Sequence, residues 1–95
     1  MRPVTPKLDL DELRRGIDAV DQSILKLLHE RVRLVMAVGE YKRERDIPVY
    51  DPTRERALLD RLCSAAEPPL DAHTIRSIFE RIVDESRRIE QHHVG

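Results

Sequence analysis

The strongest constraint on this chain is an apolar pattern at helical spacing that runs for roughly 35 residues without a proline. Apolar residues recur at steps of three, four and seven, which is the repeat of one face of an α-helix. Because the next proline is Pro48, the pattern predicts a single helix from about Asp11 to about Arg45. At ~1.5 Å per residue such a helix is roughly 50 Å long. The residues of this face are Leu13, Ile17, Val20, Ile24, Leu27, Leu28, Val35 and Val38.

Two shorter helices are predicted in the remainder of the chain. Asp51 can cap a helix that starts with Pro52, where the missing proline N–H costs nothing, and that ends near Ala65. Asp71 can cap a third helix, which the apolar spacing extends to about His92. Strands favour aromatic residues, and only 3% of this chain is aromatic. The sequence therefore predicts an all-α fold with three helices.

The length of the first helix predicts that the chain associates with a second copy. Helices of about 14 and about 20 residues cannot cover the apolar face of a helix of about 35. We therefore expect a homodimer in which the long helices pair. An extended coiled coil is the alternative, although Arg31 and Lys42 interrupt the face that its seam would use. Residues 1–95 are predicted to form one domain, with 1–8 as an N-terminal extension and 92–95 as a tail.

Two cations interrupt the apolar face of the predicted first helix. Arg31 falls where the face should continue, and Lys42 follows eleven residues later, within ~20° of the same direction. Buried charges must be paired or must contact a ligand. Taken singly, however, each cation is better explained as an ordinary surface or salt-bridge residue.

The other two predicted helices also carry polar groups toward the predicted interior. Asp51, Arg54 and Glu55 share one face of the first turn of the second helix. Ser86 and Glu90 continue the apolar side of the third helix. Together with the two cations, these residues predict a pocket for a small dianion that carries a hydroxyl or an ether.

Simpler interpretations of the neighbouring charges stay open. Glu55 could pair with Arg54, with Arg56 or with a neighbouring chain. Arg87 and Arg88 are interpreted as a solvated face of the third helix. None of these interpretations requires a ligand.

Other kinds of chemistry have little support in the sequence. The four histidines lack the spacing of a metal site, and no glycine-rich phosphate loop is present. The net charge of −1 gives no reason to bind nucleic acid or an anionic membrane, and no apolar run approaches the ~20 residues of a membrane helix. Residues 1–7 lack the apolar core of a signal peptide, and the single Cys63 fits a reducing compartment, so we expect a cytoplasmic protein.

Four short motifs follow one another along the chain in an order that is more specific than any of them alone. They are Leu13-Arg14 with Ile17-Asp18 and Asp21; Leu28-x-x-Arg31; Val38-Gly39-x-x-Lys42; and Val49-Tyr50-Asp51-Pro52-x-Arg54-Glu55. In this order and spacing the chain resembles the all-helical chorismate mutases, over about Leu8 to Gln91. The resemblance implies an interlocked helical homodimer with two shared active sites, in agreement with the dimer expected from packing.

The reaction that the resemblance implies is the rearrangement of chorismate to prephenate in phenylalanine and tyrosine biosynthesis. One C–O bond breaks and one C–C bond forms in a single pericyclic step, which needs no nucleophile, metal or cofactor. The enzyme must hold the flexible dianion in a chair-like conformer and stabilise the negative charge that develops on the ether oxygen.

The resemblance also implies a role for each matching residue. Arg14 lies about 100° round the helix from Arg31, and in the family its counterpart comes from the other subunit. Glu90 stands where many relatives carry Gln, and a Glu can donate to the ether oxygen only when protonated. Burial would raise the pKa of Glu90, whereas Lys42 would lower it. The remaining implied assignments are Arg14, Arg31 and Ser86 on carboxylates, Lys42 on a carboxylate and the ether oxygen, Arg54 at the carboxylate end, Asp51 and Glu55 on the hydroxyl, and Val38, Leu58 and Val83 as apolar walls.

Three other functions fit the same residues. An isochorismate–pyruvate lyase or a mutase of 4-amino-4-deoxychorismate would use a similar helical dimer and cationic site. A non-catalytic helical dimer that docks onto another shikimate-pathway enzyme belongs to a different class, and the full set of cations argues against it. Action through a separate partner enzyme is compatible with all of these functions.

Overall fold

A computed structural model of the chain describes residues 9–94, which form three helices and no strand. Helix α1 spans Leu10–Glu44, α2 spans Pro52–Ser64 and α3 spans Ala72–Val94. The predicted all-α fold is confirmed, and the predicted ends lie within two residues of the observed ones. No helix within the described range is long and apolar enough to cross a membrane. The predicted extension, residues 1–8, lies outside the described residues.

An aspartate caps the first turn of each helix. In every case a carboxylate oxygen accepts a hydrogen bond from the backbone N–H three residues later, which satisfies a donor that has no partner within the helix. The bond to Thr74 is the largest of the influences that lower the pKa of Asp71 below its ordinary value. The three caps are Asp9 with Glu12 at 2.8 Å, Asp51 with Arg54 at 3.0 Å and Asp71 with Thr74 at 2.8 Å.

Helix α1 ends in a turn that the sequence pattern alone did not predict. The N–H of Ile47 donates to the carbonyl of Lys42 at 2.9 Å, and the N–H of Asp46 donates to that of Arg43 at 3.3 Å. This pair of bonds is the Schellman motif, which needs a left-handed residue after the helix. Asp46 takes that place with φ of 55°, where glycine is the usual residue. The turn fixes the direction that the chain takes after α1, just beyond Lys42.

The described residues fall into two compact units, one up to Arg31 and one from Val32. The first unit contains only the beginning of α1, and its apolar residues are largely exposed. Leu13, Ile17, Val20 and Ile24 are between 48% and 59% exposed. A continuous exposed apolar face of this kind marks a surface for association.

The second unit contains the end of α1 together with α2 and α3. Helix α2 packs against α3, and the end of α1 meets α3 at Gly39. The buried residues within the described range are Gly39, Val83, Ser86 and Glu90. Two of the four carry polar side chains, so the best-shielded part of this unit contains polar groups as well as an apolar one. The prediction that residues 1–95 form one domain stays a prediction.

The end of α3 differs from the predicted tail. Residues 92–94 continue the helix instead of leaving it. His93 Nε2 lies 2.8 Å from Glu40 Oε2, and the side chain of Val94 lies beside Gly39. These contacts with α1 explain why the last turn of α3 is ordered.

Candidate active site

The centre of the candidate site is a lysine and a glutamate from two different helices. Lys42, in the last turn of α1, donates from Nζ to the carbonyl of Val49 at 2.8 Å. The same Nζ lies 3.8 Å from Glu90 Oε2 on α3. Both side chains are well shielded from water, with exposed fractions of 17% and 9%. The ammonium group is thus held by the link after α1 and faces a carboxyl group across the helix crossing.

Glu90 is buried without full hydrogen bonding. Its Oε2 atom is inaccessible to water and has no hydrogen-bond partner among the described residues. Burial raises the pKa of Glu90 above its ordinary value, the charge of Lys42 lowers it, and the charge of Glu55 raises it. Burial is the largest of these causes. Since a buried polar atom without a partner is costly, Glu90 is suited to bind a group that the chain itself does not supply.

The close approach of α1 and α3 depends on Gly39. A Cβ atom at this position would lie 2.9 Å from Glu90 Cγ and 3.0 Å from Val94 Cγ1. Both distances are shorter than ordinary van der Waals contacts. Any larger residue at Gly39 would therefore displace the Glu90 side chain or separate the two helices.

Two further predicted site residues lie on the buried side of α3. Val83 is 6% exposed and Ser86 is 5% exposed. Ser86 Oγ donates to the carbonyl of Ile82 at 2.7 Å, and a hydroxyl oxygen that donates can also accept a hydrogen bond. Together with Glu90, these residues follow one another at steps of three and four along one face of α3.

Glu55 is held by an arginine that the sequence pattern assigned to a solvated face. Arg87 Nε donates to Glu55 Oε2 at 2.8 Å, and Arg87 Nη2 lies 3.4 Å from Glu55 Oε1. The interpretation of Arg87 as solvated is therefore wrong, and the partner of Glu55 is none of those considered from the sequence. The signal that could have found it is spacing, since Arg87 follows Val83 by four residues and precedes Glu90 by three.

Asp51 and Arg54 have a structural part at the start of α2. The carboxylate of Asp51 accepts the backbone N–H of Arg54 in the helix cap, and both side chains are exposed. The cap occupies one side-chain oxygen of Asp51, and its backbone carbonyl accepts the N–H of Glu55 at 3.0 Å. The roles predicted for these two residues stay predictions.

The other predicted residues are placed as follows. Leu58 is half-buried on α2, and Val38 is 47% exposed on α1. Arg14 is exposed and Arg31 is half-buried, and both belong to the first unit. The site described here is that of the second unit, which brings together Lys42, Val83, Ser86, Glu90 and the Glu55–Arg87 pair.

This arrangement can bind a group with oxygen atoms and polarise it. A cation and a raised-pKa carboxyl group side by side can hold an oxygen that becomes negative, one by charge and the other by hydrogen bonding. No group of three or more His, Cys, Asp or Glu side chains that could hold a metal ion occurs in the described part of the chain.

The chain as a whole is similar to proteins of one known family. The family model for chorismate mutase type II matches residues 13–91. The chorismate mutase of Methanocaldococcus jannaschii is 34% identical over 88 residues, which are 90% of this chain and 87% of that protein.

Solved structures give the same result. The form II structure of chorismate mutase from Thermus thermophilus matches with a TM-score of 0.84 and 38% identity, over 86% of this chain and 93% of that one. The Helicobacter pylori chorismate mutase, solved in complex with prephenate, matches with a TM-score of 0.82 and 26% identity, over 90% and 92% of the two chains.

Some curated relatives are much longer. The bifunctional chorismate mutase/prephenate dehydratases of Aquifex aeolicus, Escherichia coli and Enterobacter agglomerans are 38% to 41% identical to this chain, and the chain spans only 15% to 23% of their length.

Proposed function

This chain belongs to the chorismate mutase type II family, and we propose that it catalyses the rearrangement of chorismate to prephenate. The observation that carries the proposal is the buried Oε2 of Glu90, which has no hydrogen-bond partner in the described range and lies 3.8 Å from Lys42 Nζ. In this reaction, negative charge develops on one ether oxygen while the C–O bond breaks. A site that offers a charge and a hydrogen-bond donor to one atom matches that need.

Lys42 and Glu90 act on the ether oxygen in this proposal. Lys42 supplies positive charge, and its bond to the carbonyl of Val49 holds the ammonium in place before substrate arrives. Glu90 donates a proton in a hydrogen bond when its carboxyl group is neutral, the state that burial favours. The developing charge is then stabilised by groups that need no rearrangement during the reaction.

The remaining residues hold the dianion in its reactive conformer. Ser86 contacts a carboxylate of the substrate, and Glu55 accepts a hydrogen bond from the substrate hydroxyl. Arg31 and Arg14, the latter from the partner subunit, bind carboxylates, and Arg54 supports the same end of the substrate. Asp51 contacts the hydroxyl through its backbone, while Val38, Leu58 and Val83 form apolar walls. These assignments rest on the family resemblance together with the shielded positions of Ser86, Glu55 and Val83.

The proposal includes a homodimer. The single chain leaves Leu13, Ile17, Val20 and Ile24 on the first part of α1 half exposed, and Val83 is the one buried hydrophobic residue in the described range. A chain with so little apolar burial gains its stability from association. We also expect a cytoplasmic location, which the free thiol of Cys63 supports.

A chorismate-consumption assay on the purified chain tests the function. Products should be separated so that prephenate is distinguished from pyruvate, and the assay should be repeated after treatment with a metal chelator. We expect prephenate, formed at the same rate with and without chelator. Pyruvate as the product would instead indicate a lyase on the same scaffold, and the amino analogue of chorismate tests the third activity.

A folded chain that turns over none of these substrates would overturn the enzymatic proposal. In that case, binding to another shikimate-pathway enzyme should be measured for the chain and for its Lys42→Ala variant. The long bifunctional relatives show that a domain of this family occurs joined to a second enzyme, so a separate partner chain is a reasonable target for that measurement.

A further inference from the structure

Arg87 is fixed from three directions, by residues that come before α2, within α2 and within α3. Its Nε and Nη2 atoms face the two carboxylate oxygens of Glu55 at 2.8 and 3.4 Å. Nη2 also donates to Asp84 Oδ1, one turn earlier on α3, at 2.8 Å. The guanidinium lies over the ring of Tyr50, 4.8 Å from its centroid. This side chain therefore has a single well-defined place.

The pair that Arg87 forms with Glu55 is more shielded than an ordinary surface ion pair. The two side chains are 28% and 23% exposed. An exposed ion pair contributes little, because water screens it and two long side chains lose their freedom. Here Asp84 and Tyr50 already order the guanidinium, so little further freedom is lost when it binds Glu55.

Glu55 is also coupled to the centre of the candidate site. The charge of Glu55 is one of the three influences on the pKa of Glu90, and it raises that pKa. The carboxylate that Arg87 holds is thus close enough to act on the catalytic glutamate. A change in the position of the Glu55 carboxylate would therefore change the electrostatic surroundings of Glu90.

We propose that Arg87 is a positioning residue for the mutase reaction, which holds the Glu55 carboxylate in the orientation that accepts the substrate hydroxyl. This inference rests on the proposed function. A carboxylate offers about four acceptor positions, and the two N–H groups of Arg87 occupy two of them. The others stay available to the hydroxyl. A planar guanidinium donates to the two oxygens through two separate N–H groups in a fixed geometry, which the ammonium of a lysine cannot do, so a lysine would hold Glu55 less firmly.

The chain offers a matched control for this test. Arg76 on α3 and Asp60 on α2 form a second ion pair between the same two helices, at 2.9 Å and with exposed fractions of 39% and 63%. Loss of either arginine removes one tie between α2 and α3. Only the loss of Arg87 releases Glu55, so a purely structural role predicts similar effects of Arg76→Ala and Arg87→Ala.

The experiment compares steady-state kinetics of the wild type with Arg87→Ala, Arg87→Lys and Arg76→Ala. We expect Arg87→Ala to raise KM for chorismate about 10-fold with kcat changed less than about 2-fold, because contact with the hydroxyl stabilises substrate and transition state alike. Arg87→Lys should recover part of this loss, with KM about 3-fold above wild type. Arg76→Ala should leave both constants within about 2-fold of wild type.

Two further comparisons separate positioning from direct binding. On a chorismate analogue without the ring hydroxyl, Arg87→Ala should have the same kcat/KM as wild type. In a double-mutant cycle, Arg87→Ala should add nothing to the effect of Glu55→Ala. A thermal melt of every variant identifies any that fails to fold. If Arg87→Ala does not fold, Arg87→Lys takes its place in the kinetic comparisons.

The outcomes are distinguishable from those of the proposed function. If the wild type forms no prephenate, the function itself is wrong. If the wild type is active and both Arg87 variants match Arg76→Ala, the inference is overturned. It is also overturned if the effects of Arg87→Ala and Glu55→Ala on kcat/KM multiply in the double mutant. The same holds if Arg87→Ala still lowers kcat/KM on the analogue without the ring hydroxyl, since Arg87 would then act independently of that hydroxyl.

Discussion

The first part of α1 and the crossing of α1 with α3 combine residue type and exposure in opposite ways. In residues 10–31, apolar side chains such as Ile17 and Ile24 are 59% and 48% exposed. At the crossing, Ser86 and Glu90 are 5% and 6% exposed although both are polar. Neither combination is favourable in an isolated chain. Within the proposal, a second copy of the chain covers the first region, and the substrate completes the second.

The two regions have opposite effects on the stability of the proposed dimer. Exposed apolar surface that is removed from water on association is a source of stability, at about 25 cal/mol per Å². A buried polar site without all its hydrogen bonds lowers stability until a ligand binds. In the proposed dimer, association of the first region would offset the cost of a preorganised site in the second.

The largest expected effect comes from breaking the apolar face of the first region. Ile24→Glu would place a charge where the dimer is expected to bury an isoleucine, and an unpaired buried charge costs about 3 kcal/mol or more. We expect the dimer dissociation constant to rise at least about 100-fold. Sedimentation over a range of protein concentrations measures it.

The control for this variant introduces the same residue on another side of the helix. Lys26 is exposed and lies about 200° round α1 from Ile24. Lys26→Glu should leave the dimer intact. A wild-type chain that is monomeric at all concentrations would contradict the dimer itself.

The second prediction concerns the cation of the polar region. Lys42→Ala removes the charge beside Glu90, and we expect kcat/KM for chorismate to fall about 10²–10³-fold, as for loss of a comparable charge-stabilising group. Arg43→Ala, the exposed cation next in the chain, should stay within about 2-fold of wild type. Equal activities of the two variants would show that positive charge at Lys42 is unimportant.

The sequence predicted the fold well because its signals are local. Helix ends depend on residues such as Asp51 and Pro52, whose effects act within one turn, and apolar spacing defines helix faces without knowledge of the partner. The turn after α1 was less predictable, because Asp46 occupies a position where glycine is the usual signal.

The polar site was predictable only in part, for a different physical reason. Lys42 and Glu90 were recognised because each is a charge on a face that should be apolar. Their spacing across two helices depends on how closely those helices approach, and this is determined by Gly39. Arg87 was missed because an arginine beside another arginine is usually solvated, and its partner Glu55 is 32 residues away.

The third prediction tests the close approach at the crossing. Gly39→Ala would place a Cβ 2.9 Å from Glu90 Cγ, so Glu90 must move or the helices must separate. We expect a loss of about 1–3 kcal/mol in the free energy of unfolding, as for other overpacked sites, and about a 10-fold fall in kcat/KM.

The same helix supplies a matched glycine for comparison. A Cβ at Gly16 meets nothing within 4 Å in this chain, and alanine is favoured over glycine inside a helix by about 1 kcal/mol. Gly16→Ala should therefore unfold at the same or a higher temperature with activity retained, and sedimentation checks that the dimer is intact, since Gly16 lies at the edge of the apolar face that the partner is expected to cover. If Gly39→Ala also kept its unfolding temperature and its activity, α1 and α3 would be packed more loosely at their crossing than the distances at Gly39 imply.

The smallest expected effect is a change in the shape of the pH profile. Burial raises the pKa of Glu90, so its carboxyl group holds a proton, and can donate, at higher pH than an exposed glutamate. Activity should rise as pH falls through this raised pKa and decline as pH rises above it. The groups that act on Glu90 are Lys42 from α1, which opposes the shift, and Glu55 from α2, which supports it.

Glu90→Gln should flatten that profile, because an amide donates at every pH. The measurement is kcat/KM from about pH 5 to about pH 8, a range in which histidines as a class also change charge. His93 contacts Glu40 near this crossing, so His93→Gln is the control and should retain the wild-type slope. A wild-type profile that is level across the range would show that the protonation of Glu90 does not limit the reaction, whereas a slope abolished by His93→Gln would assign it to the histidine.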